Sequence, residues 1–374
     1  MQDIKEIAII GVGLIGGSLG LAIKELPDAP RVTGTSRSVS TIDKALEVGA
    51  IDKGTTSVKD AVANADIIFI ATPISTIVDM VKKITPFLKA GAIITDVGST
   101  KNRIVRSVEA FLPDNLHFIG GHPMAGSEQQ GVSFATATLF KNSYYLLTPT
   151  DNTDTVAFKK LHSLLASIGS QVLAIDPEKH DKIVSIISHL PHILSASLVN
   201  LASRQTRENK SLLLIAAGGF RDMTRIAASD PDMWRDICIE NSDAILMAIE
   251  EFRKNLDDFK KDIEQTNRAE LWNEFQEAQS IRLNLPTILH KDISEFREIS
   301  VPVSDEPGVI SNISVTIGKL GINIEDIEIV HFTETSGVIK LVVSGEEESQ
   351  NAAKALQEIG YQVEINKLID REVP

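Results

Sequence analysis

Near its start the chain runs from an apolar stretch, Ile7 to Ile10, straight into Gly11-Val12-Gly13-Leu14-Ile15-Gly16, and an apolar helical stretch, Leu19 to Leu26, follows. A G-x-G-x-x-G element says little alone. Set between a strand and a helix, it specifies a strand–turn–helix unit built around a dinucleotide. Gly11 suits the tight turn, Gly13 lets backbone approach a pyrophosphate, and Gly16 lets helix and strand pack closely. Leu14 and Ile15 complete the cofactor-binding element, where a helix N-terminus offers free N–H groups and partial positive charge to phosphates. A redox enzyme is the first expectation.

At 374 residues the chain exceeds one ordinary core, so two or three domains are expected. Hydrophobic residues make up 43% and charged residues 24%, as in globular proteins. The net charge of −14, with no basic run, argues against nucleic acid and requires a locally basic pocket for any anionic substrate. A single cysteine, Cys238, allows no intramolecular disulfide and suits a reducing cytosol. No apolar run is read as approaching the roughly 18 residues that span a bilayer, and Asp3 and Glu6 lead directly into a strand, unlike a signal peptide. A cytoplasmic protein with no membrane partner is expected.

From Ile4 to about Ile175 short apolar strands alternate with helices, the pattern of a parallel α/β sheet of Rossmann type. Strands are predicted at Val32 to Thr35, Ile67 to Ala71, Ala92 to Thr95, His117 to Ile119, Tyr144 to Leu147 and Val172 to Ile175. Ligands in such sheets sit beyond the carboxyl ends of the strands. That selects Ala71-Thr72-Pro73, Asp96 to Lys101 and Gly120 to Ser127 as site loops, with Thr72 and Pro73 beside the cofactor. At Asp176-Pro177, an N-cap followed by a first-turn proline, the pattern becomes helical as far as about Leu285. Ile183, Ile186, Ile187, Leu190, Ile193, Leu194 and Leu198 form an apolar face wider than a surface helix needs, which points to a homodimer. Pro286 and the charged stretch His290 to Glu295 read as a linker. Beyond them strands and helices alternate as β-α-β-β-α-β, a ferredoxin-like unit. The division is thus 1–175 Rossmann, 176–290 helical substrate and dimerisation, and 296–374 ferredoxin-like.

The second strand ends Thr35-Ser36-Arg37 without the acid that binds a ribose 2′-hydroxyl in NAD enzymes. Arg37 with Ser36 can pair with a 2′-phosphate, favouring NADP; stacking of Arg37 on adenine would leave NAD.

For chemistry, His122 is the first candidate. It follows Gly120-Gly121 in what reads as a sheet-end loop, two glycines that leave space for a nicotinamide or substrate, and Pro123 restricts its backbone. An imidazole there can take the proton of a hydroxyl as hydride leaves its carbon. Ser99 could share that hydroxyl, or cap the helix that follows. His189 and His192 lie three apart on one helix face, with Pro191 bending the helix between them. With one cysteine and no H-E-x-x-H, polar contact with substrate or a neighbouring helix is preferred to a metal, even with His180 upstream. In Gly218-Gly219-Phe220-Arg221-Asp222-Met223-Thr224-Arg225, two arginines four apart lie on one side of a helix. They suit an acid-binding pocket, or a structural pairing with Asp230 or Asp232.

The stretches Gly11 to Ser18 (GVGLIGGS), Asp96 to Lys101 (DVGSTK), Gly120 to Ser127 (GGHPMAGS), Ser188 to His192 (SHLPH), Gly218 to Arg225 (GGFRDMTR) and Ser229 to Ile237 together resemble the prephenate/arogenate dehydrogenase family. The tail from about Phe296 resembles an ACT domain, an amino-acid-sensing module. The resemblance implies NAD(P)-dependent oxidative decarboxylation of prephenate to 4-hydroxyphenylpyruvate and CO2 in tyrosine biosynthesis. It assigns the hydroxyl proton to His122 with Ser99, and a substrate carboxylate to Arg225 with His192, Ser127, Arg221 and His189 around it. Glu128 beside Ser127 could meet the amino group of arogenate, which keeps an arogenate dehydrogenase as the alternative. For the tail it implies an aromatic amino acid effector at Asp305, Gly308 and Asn323, the alternative being a stabilising appendage. A β-hydroxyacid dehydrogenase is disfavoured because no catalytic-lysine motif is visible. A non-catalytic NAD(P)-linked amino-acid sensor would have no use for His122, Ser99 and both arginines.

Overall fold

Both faces of the first strand are covered. In β1 (Glu6–Ile10), Ile7 and Ile9 belong to one apolar core and Ala8 and Ile10 to another. Helices therefore lie on either side of the sheet, as an unbroken apolar strand requires. The computed structural model describes residues 4–126, 129–206, 218–284, 296–304, 306–333 and 336–367, and its chain divides into two compact units, 1–260 and 261–374.

In the first unit, β2 (Arg31–Thr35), β3 (Lys53–Thr55), β4 (Ile67–Ile70), β5 (Ile93–Asp96), β6 (His117–Pro123), β7 (Tyr144–Thr148) and β8 (Gln171–Ala174) join β1 in the order β3-β2-β1-β4-β5-β6-β7-β8. From β3 to β6 every pairing is parallel. The first six strands have the dinucleotide-binding order, which reverses direction between β1 and β4. Helices α1 (Leu14–Lys24) and α2 (Val39–Glu47) fill one face through Leu19, Ile23, Ile42 and Ala45. Helices α3 (Val58–Val62), α4 (Ile77–Ile84) and α5 (Asn102–Glu109) fill the other, with Val62, Val81, Ile84, Ile104 and Val108. Each such aliphatic side chain stabilises the fold by about 1.5–3 kcal/mol through burial. Helix α6 (Thr155–Ser167) returns to the first face with Leu161 and Leu164.

Helix α1 begins at Leu14 with Gly13 as its N-cap, at the glycine turn. Three expectations need correction here. The sheet is mixed: β7 pairs antiparallel with β6, and β8 runs parallel to β7. Between β6 and β7 the described residues form only one 3₁₀ turn, Val132–Phe134, so the crossover helix that would restore a parallel direction is missing. His122 and Pro123 lie in strand β6 rather than in a loop, His122 facing Leu146 of β7. The two glycines before them serve the sheet: a Cβ on Gly121 would lie 2.6 Å from the Asp96 carbonyl oxygen, and one on Gly120 would lie within the contact distance of Thr148. Helix α5 starts at Asn102, so Ser99 does not cap it.

The helical part opens as its sequence indicates: Asp176 accepts the N–H groups of Glu178 and Lys179, both at 2.9 Å, and caps α7 (Pro177–Val184). A π-turn, Ser185–His189, joins α7 to α8 (Leu190–Thr206). Pro191 offers no N–H to the preceding turn, and the disturbance is taken up as this wide turn. The run Pro177–Arg204 is long and apolar enough, by length and composition, to cross a membrane, contrary to expectation. Its serines and histidines carry no formal charge, while Ile186 and Ile187 lie exposed on its surface.

Helix α9 (Gly218–Thr224) stops one residue before Arg225, which opens a 3₁₀ turn, so Arg221 and Arg225 do not share one α-helix. The Thr224 hydroxyl donates to the Phe220 carbonyl at 2.6 Å, a side-chain bond that competes with helical continuation. Helices α10 (Pro231–Glu240) and α11 (Ser242–Glu264) follow.

In the second unit, after α12 (Arg268–Asn284), β9 (Phe296–Ser304), α13 (Val309–Lys319), β10 (Ile324–Thr333), β11 (Ser336–Ser344), α14 (Glu346–Glu358) and β12 (Glu364–Lys367) follow in βαββαβ sequence. The sheet order β10-β11-β9-β12 is antiparallel throughout, the ferredoxin-like arrangement read from the pattern. Ile299, Val301, Ile313, Ile317, Leu341 and Leu356 form its core. The predicted linker, Pro286 and 290–295, lies outside the described residues.

Candidate active site

The glycine element closes the β1–α1 corner at the point where the strand order reverses. Gly11 has φ +98°, and a Cβ there would sit 2.3 Å from the Ala71 carbonyl oxygen at the end of β4. A Cβ on Gly16 would lie 2.1 Å from the Gly11 carbonyl oxygen, whereas nothing lies within 4 Å of the Cβ position of Gly13. Two glycines are thus consumed by packing, and the third leaves open backbone at the helix start. No side chain caps α1, so its first N–H groups are available to an anion. These residues fit a dinucleotide. Thr72 and Pro73 stand beside the turn, where the Thr72 methyl is 3.3 Å from the Cβ position of Gly11. Ser36 is half-buried and Arg37 exposed just after β2.

Across the sheet, His122 lies partly exposed one residue before the end of β6, with its Nδ1 2.9 Å from Nε2 of His180 in α7. The His180 ring is fully buried, and its Nδ1 lies 2.8 Å from Oδ1 of Asp181. Asp181 also accepts the backbone N–H groups of Lys101 at 2.7 Å and Asn102 at 2.9 Å, where α5 begins. Beneath, Lys101 and Asp96 form a wholly buried ion pair. Lys101 Nζ donates to the Gly121 carbonyl at 2.8 Å and the Gly121 N–H donates to Asp96 at 3.1 Å. The loop that carries half-buried Ser99 is thereby tied at both ends to the residue before His122.

Burial holds the His122 imidazole well below its ordinary range, and Lys101, with His180 and His189 whenever these are protonated, pushes in the same direction. Burial also lowers His180, against the Asp181 hydrogen bond. His189 is pushed down to about 4, first by burial. The histidines are therefore neutral at physiological pH, and His122 has a lone pair to offer.

The helical side approaches through Trp234 of α10. Its ring stacks on His192, centroids 3.7 Å apart, and meets His189 edge-on at 5.9 Å. Asn241 donates to the Asp181 carbonyl at 2.9 Å and lies 3.1 Å from His189 Nδ1. Burial first, then the charge of Arg225, lowers His192, so the guanidinium of exposed Arg225 stands in the same neighbourhood.

Residues 19–174 match the nucleotide-binding domain of prephenate dehydrogenase and residues 176–277 its dimerization domain. Prephenate dehydrogenase of Bacillus subtilis is 37% identical over 96% of this chain and 97% of its own length. That of Lactococcus lactis is 36% identical over 94% and 98%.

The chain belongs to the prephenate dehydrogenase family.

A solved prephenate dehydrogenase of A. aeolicus, in complex with hydroxyphenyl propionate and NAD+, superposes with a TM-score of 0.72 at 34% identity, covering 76% of this chain and 99% of that one. Membership of the prephenate dehydrogenase family makes the chain an NAD(P)-dependent oxidoreductase of aromatic amino acid biosynthesis.

Nothing in the sequence pattern singles out Asp181, Asn241 or Trp234, which touch the imidazoles, and it offers His180 only as a weak metal candidate. Among the described residues no three His, Cys, Asp or Glu side chains gather as metal ligands. Asp230 and Asp232, weighed as partners of Arg221, take Gln130 and Arg235 instead. Arg221 is exposed on α9. Gly308 is the left-handed N-cap of α13 and Asn323 is exposed before β10, while Ser127, Glu128 and Asp305 lie outside the described residues.

Proposed function

We propose that the chain oxidises prephenate, with loss of CO2, to 4-hydroxyphenylpyruvate. The observation that carries this reading is the partly exposed imidazole of His122 near the carboxyl end of β6, backed by His180 and held by burial below its ordinary titration range. When bound, NAD(P)+ supplies the hydride acceptor. His122 holds the ring hydroxyl and takes its proton as hydride leaves the carbon, and Ser99 shares that hydroxyl. Departure of the ring carboxylate makes the ring aromatic, so the protein has mainly to align and deprotonate. Arg225 grips the side-chain carboxylate, with His192, His189, Arg221 and Ser127 completing the pocket. A carboxylate clamped by arginine is held back from leaving as CO2, so the departing one is the less firmly paired.

The absence of an acid after β2, with exposed Arg37 beside Ser36, supports NADP. The βαββαβ topology of the tail supports an ACT domain binding an aromatic amino acid at Asp305, Gly308 and Asn323. The exposed Ile183, Ile186 and Ile187 support a homodimer through the helical part, and the lone Cys238 suits the cytoplasm. The functional division remains 1–175, 176–290 and 296–374.

The test follows absorbance of reduced cofactor with prephenate and then arogenate, in wild type and His122→Asn. The variant is expected to lose about 10²- to 10⁴-fold in kcat with prephenate. Wild-type kcat in His122→Asn overturns the mechanism.

A further inference from the structure

We infer that Asp181 is a positioning residue: through His180 it keeps Nε2 of His122 free of a proton, and it holds the Ser99 loop with the same carboxylate. Its bearing on catalysis rests on the proton-acceptor role proposed above.

The argument runs along one hydrogen-bonded line. The Asp181 carboxylate accepts two backbone N–H groups at the start of α5. With an N–H pointing at each of its oxygens, the carboxylate acts here as an acceptor. His180 Nδ1, 2.8 Å from Oδ1, must then carry a hydrogen. A neutral imidazole has one N–H, so His180 Nε2 is bare. That bare nitrogen lies 2.9 Å from His122 Nδ1, which must therefore be the N–H of its own ring. The nitrogen of His122 left with a lone pair is Nε2, the atom a general base needs. The opposite tautomer of His122 would set two bare nitrogens face to face in a buried place. Tilted rings, with centroids 5.1 Å apart and planes 67° from parallel, agree with this in-plane approach of one ring to the other.

Asp181 is itself immobilised. Asn241 donates to its backbone carbonyl, and the Asp181 side chain joins the second turn of α7 to the loop that ends at Lys101. One carboxylate thereby sets both the tautomer of His122 and the position of the loop bearing Ser99. A carboxylate that only capped α5 would do the second and not the first.

The test reads the tautomer without substrate, by ¹⁵N NMR of histidine-labelled protein, with His122 assigned by loss of its signals in His122→Asn. In wild type His122 is expected to show a pyridine-type Nε2 and a protonated Nδ1. In Asp181→Asn the amide can donate to His180 Nδ1, which reverses both rings and places the hydrogen on His122 Nε2. In that variant kcat is expected to fall about 100-fold or more, with KM for prephenate within about threefold. His180→Gln places an amide oxygen near the former Nε2 and can still accept from His122 Nδ1, so it is expected to retain the wild-type His122 tautomer, whereas His180→Leu does not. A protonated Nε2 in wild-type His122, or an unchanged tautomer in Asp181→Asn, overturns the inference. If Asp181→Asn does not fold, the wild-type spectrum and the Gln–Leu pair at 180 decide. Because the spectrum needs no turnover, failure to oxidise prephenate would sink the proposed function and leave the tautomer assignment standing.

Discussion

The indole of Trp234 lies flat against His192, planes 24° apart, while its edge meets His189. One aromatic side chain from α10 thus positions two histidines from the α7–α8 run. Ring stacking of this kind contributes about 0.5–1.5 kcal/mol beyond simple burial. Trp234→Ala is therefore expected to raise KM for prephenate by about three- to tenfold, with kcat changed less because His122 is untouched. Trp234→Phe is expected to retain most of the affinity. Steady-state kinetics at saturating cofactor make the measurement.

The histidine cluster gives stability a pH dependence of definite sign. His122, His180, His189 and His192 all titrate below the ordinary 6.5 in the native state. The unfolded chain binds protons on them near 6.5, and the native chain binds none until lower pH. Stability is thus fully present above about pH 7 and is lost as pH falls from 6.5 toward the folded values. For His189, the drop from 6.5 to about 4 corresponds to roughly 3 kcal/mol. Urea midpoints are expected to fall steadily from pH 7 to 5, with a shallower slope in His189→Gln. By the same sign, the acid limb of kcat/KM should lie below 6.5, since His122 must be neutral to accept a proton. A midpoint that rises on acidification would contradict the burial argument.

Ser75 and Asp236 connect the turn that follows β4 to α10. The Ser75 hydroxyl, in the 3₁₀ turn Ile74–Thr76 just after Thr72 and Pro73, donates to the Asp236 carboxylate at 2.5 Å. Asp236 also holds Arg235 at 2.7 Å, and lies two residues beyond Trp234 on α10. A hydrogen bond to a charged group contributes about 1.5–3 kcal/mol. Ser75→Ala is expected to raise KM for both prephenate and cofactor, by up to about tenfold each, with little change in kcat. An effect confined to one of the two ligands would show that the contact does not couple them.

How much of this was readable beforehand follows the range of the interactions. The glycine turn is local: Gly11, Gly13 and Gly16 meet their constraints within a few residues or at the adjacent strand end, and periodicity alone outlined the βαββαβ tail. The reversal at β7 depends on what a connection lacks, which composition does not reveal. His180 and Asp181 reach His122 and Lys101 across some 58 and 80 positions of sequence, with no motif to link them. Asp96 and Lys101 looked like the ends of a site loop, yet both are fully buried. Charged residues so placed read as functional in sequence, whereas here they hold a strand end in place.

That buried pair makes a sharp stability prediction. Lys101→Met removes the cation and leaves Asp96 with only the N–H groups of Gly98 and Gly121, at 2.8 and 3.1 Å. Breaking one partner of a buried pair costs about 3–5 kcal/mol, while replacing both with neutral groups costs less. Asp96→Asn combined with Lys101→Met is therefore expected to recover part of the loss. Urea denaturation of the three proteins tests it, and a double variant less stable than Lys101→Met would refute the account.

Cofactor choice turns on the residues after β2. That strand ends at Thr35 with no acid to meet a ribose 2′-hydroxyl, and among the described residues no ion pair engages the exposed Arg37. If Arg37 pairs with a 2′-phosphate, Arg37→Ala removes a charge-assisted bond of about 1.5–3 kcal/mol. kcat/KM for NADP+ is then expected to fall about 10- to 100-fold, with the NAD+ value within about threefold. Ser36→Asp supplies the missing acid and repels the 2′-phosphate, so it is expected to shift the ratio toward NAD+ through both effects. Measuring both cofactors in the three proteins separates specific pairing from adenine stacking, because loss of stacking in Arg37→Ala would lower both values together and leave their ratio unchanged.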